Sequence, residues 1–324
     1  MAGVDTFSMN AVMKKLPLVA IVGPTASGKT AFSIEIAKRF DGEIISMDSM
    51  QIYKEMQIGT AKPTEEEKEG IVHHMLDVAV PGEAFTVNDY AAMVRALIPK
   101  IVSRGKLPIL CGGTGLYFNA VIYGYNLTEA ATDPAVRDRL FAFAEQYGVQ
   151  ALFERLEQVD PKSAEEIHPN NLKRVVRALE VYELTGRPKS EQVQTADEPL
   201  YRLAAFGLDW PRQVLYERID HRVDQMLADG LEAEVRALAE RGVLHPENDT
   251  GQAAAAIGYR EMLDYIAGKT TFEEMVETLK RNTRRYAKRQ CTWFKRIPEI
   301  CWVDPLDQTA KEETVKRIEQ MLEK

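Results

Sequence analysis

Cysteine is scarce in this chain, and no apolar run is long enough to cross a bilayer. Cys111, Cys291 and Cys301 are the only cysteines among 324 residues. Such an odd, scattered set makes no disulfide framework, and no pair has zinc-ligand spacing. This usage fits a reducing compartment, and a cytoplasmic location is expected. The apolar run at residues 16–22 is far shorter than the roughly 20 residues of a membrane helix. No small-residue cleavage site follows it, so it reads as a buried strand rather than a signal peptide. Internal repeats and low-complexity tracts are missing too. Basic residues are outnumbered, with 41 Lys and Arg against 49 Asp and Glu and a formal net charge of −8. That balance argues against a surface that grips nucleic acid everywhere, while leaving room for local basic patches.

What is present suits a buried core in one or two domains, with 45% hydrophobic and 28% charged residues. Residues 1–15 have no period and read as a loose lead-in. A strand at 16–22 is followed by a helix at 29–40, an apolar run at 43–47, a helical period at 87–103 and a third buried run at 107–111. Strands alternating with helices predict a parallel sheet with helices on both faces. From Pro134 to about Thr185 only helical periods occur, broken at Asp160-Pro161 and His168-Pro169. Strand character returns at 201–208, helices fill 212–296, and 301–303 ends the pattern as a short strand. The expected organisation is an α/β core in residues 1–130 and 200–324, interrupted by an all-helical insert at 131–199.

The strongest local signal is Gly23-Pro24-Thr25-Ala26-Ser27-Gly28-Lys29-Thr30, a full match to G-x-x-x-x-G-K-[ST]. It stands where the mechanism requires it, after a strand and at the opening of a helix. Glycines let the backbone curl so that its N–H groups point inward, and the helix N-terminus adds partial positive charge. Lys29 supplies a point charge, and Thr30 can place its hydroxyl on Mg²⁺. The fold expected is therefore a P-loop NTPase-like parallel sheet flanked by helices. A P-loop cradles a diphosphate whatever is attached to it, so a kinase and a transferase using an organic diphosphate both remain open. A hydrolytic ATPase is disfavoured: residues 44–48 end in Asp48 followed by Ser49, and 107–111 run into Gly112-Gly113-Thr114 with no acid.

Ligands in such sheets bind at the C-terminal ends of strands. Asp48 stands at one of these ends, and Gly112-Gly113-Thr114-Gly115 at another. Taken alone, Asp48 could simply cap a turn. Its place on the strand next after the P-loop unit favours a role in the site.

The segments GPTASGKT, DSMQIYKEMQIGTAKP, HHMLDV, GGTGLYFNA, HPNNLKRVVRALEVYELTG, AAIGYREM and TRRYAKRQCTWF occur in this order. Together they resemble the bacterial tRNA dimethylallyltransferases, which prenylate an adenine beside the anticodon. The resemblance runs from about residue 16 to 294. It implies transfer of a dimethylallyl group from dimethylallyl diphosphate to adenine N6, with residues 23–30 holding the diphosphate and Mg²⁺ as cofactor. It makes Asp48 the general base and sets Thr114 and Arg137 at the diphosphate and the reacting amine. It also implies tRNA contacts at Asp48, Ser49, Met50 and Gln51, at Lys173, Arg174, Val175, Val176 and Arg177, and at Ala255, Ala256, Ile257, Gly258, Tyr259 and Arg260. The partner expected is a tRNA anticodon stem-loop, with no membrane contact and a monomeric enzyme. The chemistry agrees: an exocyclic amine is a poor nucleophile that profits from a carboxylate base.

Residues 280–296 carry eight Lys or Arg and no acid. On a helix, Leu279, Thr283, Tyr286, Gln290 and Trp293 share one face, and Arg281, Arg284, Arg285, Lys288 and Arg289 crowd another. The insert holds a second basic set, Lys173, Arg174, Arg177, Arg187 and Lys189, diluted by Glu180 and Glu183. Two basic surfaces on an acidic chain suggest a polyanion gripped locally. The plain alternative is a solvated helix face. His73 and His74 are expected in structural hydrogen bonds, and Tyr117, Phe118, Trp293 and Trp302 in the core. Prenylation of free AMP, a small-molecule or nucleotide kinase and a pure RNA-binding module are the competing functions. The insert and basic stripes disfavour the first, and the intact P-loop with Asp48 disfavours the last.

Overall fold

Short runs of β-branched and aliphatic residues leave no room for a helical period, and they form strands covered on both faces. In the computed structural model, which describes residues 15–83, 85–125, 133–192, 195–244 and 253–323, β1 (Pro17–Val22) leads into α1 (Lys29–Phe40) and β2 (Gly42–Met47). A long irregular stretch holds only β3 (His73–His74) before α2 (Val87–Ser103), β4 (Leu107–Gly112) and α3 (Gly115–Ile122). Then come α4 (Pro134–Tyr147), α5 (Val149–Val159), α6 (Pro161–Glu166), α7 (Leu172–Thr185) and α8 (Lys189–Gln192). The chain returns through β5 (Arg202–Leu208), α9 (Arg212–Ala228), α10 (Leu231–Glu240), α11 (Tyr259–Ile266), α12 (Phe272–Phe294), β6 (Ile300–Val303) and α13 (Gln308–Glu323).

The strands make one parallel sheet in the order β3-β2-β4-β1-β5-β6. Leu18, Val19, Ala20, Ile21 and Val22 are fully buried at its centre, each large aliphatic worth about 1.5–3 kcal/mol of burial. Val19, Ile21, Ile44 and Ile109 pack with Phe32 and Ile36 of α1 and Ile318 of α13. Neither β3 nor α13 is anticipated by periodicity. Two residues are too few to show alternation, and β3 exists because Ile44 and Ile45 offer an edge to His73 and His74. The other expected strands and helices form within a few residues of their predicted ends.

The chain divides into two compact units, residues 1–118 with 199–324, and residues 119–198. The second begins ahead of the boundary at 131 drawn from the change of pattern. It is helical, and its breaks are helix restarts. Pro161 opens α6 while Asp160 accepts from Ser163 N–H as its cap, and Asp133 caps α4 in the same way. Val175 and Val176, assigned to tRNA by resemblance, are 0% and 2% exposed and pack with Leu152, Leu156 and Leu179 in the core of this unit. Their side chains are packing groups that hold α7 and are turned away from solvent.

Glu180 of α7 is fully buried. Its carboxylate takes Arg137 Nε at 2.9 Å, Arg177 at 2.7 Å and the Asp133 N–H at 3.0 Å. Removing Glu180 takes the acceptor from the Asp133 N–H and releases Arg137 and Arg177, which are 42% and 31% exposed, to water. Glu180→Ala is therefore expected to lower the unfolding free energy of the helical unit by about 2 kcal/mol, read by urea denaturation. Glu183→Ala, whose ion pair with Arg139 lies at the surface, is expected to change it by less than about 1 kcal/mol.

Candidate active site

Register decides what meets at the sheet's C-terminal edge. Met47 pairs with Gly112, and Gly112 pairs with Val22. The residues that follow these three, Asp48, Gly113-Thr114 and Gly23, therefore leave the sheet side by side. Close approach is possible because Gly112 has no Cβ: one would lie 2.1 Å from the Met47 carbonyl oxygen. A Cβ on Gly113 would meet Gln290 Nε2 at 2.0 Å. That nitrogen donates to Gly113 O at 3.0 Å, while Gln290 Oε1 accepts from Thr25 N–H at 2.9 Å. One buried amide of α12 thus joins the end of β4 to the phosphate loop.

The loop itself holds Lys29 Nζ against Pro24 O at 2.7 Å. Burial pushes the Lys29 ammonium from its ordinary 10.5 down to about 8, with Arg222 adding to the effect and Asp48 opposing it. The Ser27 hydroxyl is buried with no hydrogen-bond partner among the described residues. Trp210 and Arg218 donate to Ser27 O and Ala26 O.

Asp48 does cap a turn, since its Oδ1 accepts from Met50 N–H at 2.8 Å and Gln51 N–H at 3.3 Å. Its Oδ2 has no donor among the described residues, so one oxygen orients the carboxylate and the other is available. Thr114 Oγ1 accepts from Ser49 N–H at 3.1 Å. Thr114 steadies the turn that follows Asp48.

Three cavities adjoin these groups. A cleft of about 790 Å³ runs along residues 26–31 against Arg218, His221 and Arg222. A pocket of about 90 Å³ contains Lys29, Thr30, Asp48, Cys111 and Tyr286. A third, of about 300 Å³, is lined by Asp48, Ser49, Met50, Ile219, Val223, Met226, Leu279, Tyr286 and residues 255–258. Charge lies at the loop end and apolar surface beyond Asp48, an arrangement that suits a ligand with an anionic head and a hydrocarbon tail.

Arg222 lines all three cavities. It escaped the sequence reading, which gave the arginine role to Arg137. Arg137 belongs to the other compact unit and is engaged by Glu180. The arginine that shares a pocket with Lys29 and Asp48 is Arg222. Its signal was present in α9, where Arg218 and Arg222 flank the buried stripe Leu215, Ile219 and Val223 at helical spacing. The shared face of α12 is the one the site uses: Leu279, Thr283 and Tyr286 line the apolar cavity, and Trp293 covers Gly115. On the basic face, Lys280 and Arg284 pair with Asp224 and Asp220 of α9, partners that only the fold could supply.

The remaining sequence assignments divide. Ala255, Ala256, Ile257 and Gly258 line the apolar cavity beside Ser49 and Met50. Tyr259 is fully buried and donates to Glu234, whose carboxylate also takes the N–H groups of Gln57, Ile58 and Gly59. It fixes the wall of the site from behind. Gln51 spends its side chain on Thr60 O, Ala61 O and Ser46 Oγ. Arg260 pairs with Glu261. Lys173 and Arg174 are exposed on the helical unit. His73 Nδ1 lies 2.9 Å from Ile71 O, and His74 lies 2.6 Å from Glu43, which Arg104 also holds. Tyr117 and Phe118 are core residues. No helix among the described residues is long and apolar enough to cross a membrane.

A family model described as IPP transferase matches residues 51–297. The chain is 51% identical over 295 residues to the tRNA dimethylallyltransferase of Halalkalibacterium halodurans, covering 90% of this chain and 92% of that protein. It is 48% identical to the Bacillus cytotoxicus protein of the same name, covering 94% and 96%. Among solved structures it superposes on a full-length tRNA isopentenylpyrophosphate transferase from Bacillus halodurans with a TM-score of 0.70 at 47% identity, covering 95% of this chain and 99% of that one. A eukaryotic dimethylallyltransferase acting on tRNA gives 0.72 at 29% identity, covering 93% and 77%.

The buried lysine fixes a pH signature. Between about 8 and 10.5 the unfolded chain keeps a Lys29 proton that the folded protein has lost. This group therefore adds stability to the folded state as pH rises through that window. An anion in the loop restores the charge, so binding has the opposite sign. Pyrophosphate affinity is expected to be flat below pH 8 and to fall up to about tenfold per pH unit above it. In Lys29→Met it should be weak, without that limb. Calorimetric titration across pH 6.5–9.5 reads both; a wild-type affinity that stays level to about pH 9.5 contradicts the assignment.

Proposed function

The chain belongs to the IPP transferase family, and on that premise we propose that it transfers a dimethylallyl group from dimethylallyl diphosphate to N6 of the adenine next to the anticodon in tRNA, releasing diphosphate. The observation that carries the reading is the pocket in which strand ends bring Lys29 and Asp48 together and α9 adds Arg222, with an apolar cavity on the Asp48 side. The diphosphate lies in the loop of residues 23–30 and the hydrocarbon beyond it. The adenine is presented to the face where Asp48 Oδ2 is available. An anticodon loop suits this geometry because its unstacked bases can be turned out into a pocket. The enzyme acts as a cytoplasmic monomer on the anticodon stem-loop, and exposed Lys173 and Arg174 of the helical unit contribute to the tRNA contact.

In the transfer, the N6 lone pair forms a bond to the allylic carbon as the C–O bond to diphosphate breaks. The N6 proton passes to Asp48, which its turn holds in place. Charge grows on the departing diphosphate, so donors already aimed at it stabilise the transition state more than the ground state. The N–H groups at the start of α1, the Lys29 ammonium and the Arg222 guanidinium are those donors. Thr30 presents a hard hydroxyl oxygen to this pocket, and it would hold Mg²⁺ together with phosphate oxygens and water. Bound there, Mg²⁺ would neutralise leaving-group charge. A phosphoryl-transferring kinase would consume ATP, whereas this reaction needs none.

Asp48→Asn keeps the size of the side chain and an acceptor for Met50 N–H, so it is expected to fold and to bind both substrates. Its single-turnover transfer of labelled dimethylallyl to bulk tRNA should fall by roughly 10²–10⁴. Arg222→Gln should lose both rate and donor affinity. Transfer by Asp48→Asn at the wild-type rate would remove Asp48 as the base. Incorporation into AMP as fast as into tRNA would overturn the choice of acceptor.

A further inference from the structure

Consecutive carbonyls of the phosphate loop are held from outside it. Trp210 Nε1–H donates to Ser27 O at 2.8 Å, and Arg218 Nε–H donates to Ala26 O at 2.9 Å. The guanidinium of Arg218 lies 4.4 Å from the Trp210 ring centroid, so the two donors also support each other. In a planar trans peptide the N–H points opposite the carbonyl. Fixing Ser27 O therefore fixes the Gly28 N–H, and fixing Ala26 O holds the Ser27 N–H in the turn it closes on Pro24 O at 3.3 Å. A flip of the Ser27–Gly28 peptide would put an acceptor where an anion needs a donor, and a flip of the Ala26–Ser27 peptide would open the turn beside it.

The loop has reason to flip. Ala26 has φ +62°, a left-handed conformation that a residue with a Cβ adopts only when its surroundings insist. Its methyl group packs with Leu215, Ile219 and Ala287, which anchors one side of the residue. The other side is held by the two hydrogen bonds. Both donors come from the connection after β5 and from α9, the helix that also carries Arg222.

We propose that Trp210 and Arg218 form a brace that keeps the Gly28 N–H turned toward the diphosphate, Trp210 through Ser27 O and Arg218 through the turn that the Ser27 N–H closes on Pro24 O, so that both are positioning residues for the leaving group. This rests on the reading of residues 23–30 as the diphosphate cradle. The rival role for Arg218 is direct contact with phosphate, since it lines the same cleft as Lys29.

Calorimetric titration with inorganic pyrophosphate and Mg²⁺ at pH 7, without tRNA, separates the possibilities. Trp210→Phe keeps an aromatic face for Arg218 while removing the N–H with its five-membered ring, and the brace predicts an affinity loss of about tenfold. Arg218→Lys keeps the charge and should lose at least as much, because a lysine cannot reproduce the stacked Nε–H bond. The double variant should lose less than the product of the two, since either broken bond frees the same loop. KM for dimethylallyl diphosphate should rise in each variant, with tRNA affinity unchanged. A purely structural role would lower the melting temperature and leave the affinity of the folded protein intact. Wild-type affinity in Trp210→Phe, with any loss in Arg218→Gln repaired by Arg218→Lys, overturns the brace in favour of a direct charge contact. If the wild-type protein binds no pyrophosphate, the cradle itself falls, and the brace with it.

Discussion

Parallel pairing with a shared end-point is the constraint on which the rest of the site depends. Because Met47, Gly112 and Val22 stand in register on adjacent strands, the chain must leave the sheet at three neighbouring points. A carboxylate, a hydroxyl-bearing turn and an anion cradle are what the sequence supplies there. Moving any strand by one residue would reverse its faces and withdraw its group from the row. Gly112 and Gly113 carry the tightest part of this constraint, against Met47 O and Gln290.

Around that row, the core unit spends its polar side chains on fixing loops. Glu234 gathers residues 57–59, Lys62 joins Tyr53 O to Asp77, and Gln290 joins two strand ends. Glu55, Ala61, Met75 and Asp77 adopt positive φ in this stretch, conformations that persist only where neighbours over-determine them. The result is a rigid wall made of irregular backbone. Rigidity is what a reaction with a charged leaving group requires, because donors fixed in advance need no reorganisation when charge appears.

Much of this was legible in the amino-acid sequence, and what was not has physical causes. The P-loop could be read because its backbone curl demands particular residues at fixed spacing. The strand carrying Asp48 could be read because short apolar runs cannot do much else. The site-facing side of α12 showed in its period. Arg222 shows in the sequence only as an arginine beside the apolar stripe of α9, and that spacing by itself does not distinguish a site residue from surface charge. Arg137 was chosen by resemblance, and its buried partner Glu180 is visible only in the fold. Val175 and Val176 stand among basic residues on the same helix, and only packing reveals that they face inward. The ion pairs of Arg284 and Lys280 likewise depend on α9 lying beside α12.

The central claim is that one pocket holds the leaving group on the loop while the base waits on the hydrocarbon side. A crystal structure of the protein with Mg²⁺ and a thio-bridged, unreactive analogue of dimethylallyl diphosphate tests it most directly. The account predicts diphosphate oxygens against the N–H groups of residues 28–30 and Lys29 Nζ, with the allylic carbon toward Asp48 and the methyl groups among Ile219, Val223 and Leu279. A diphosphate in the loop with its hydrocarbon directed into the cleft beside His221, away from Asp48, would contradict it.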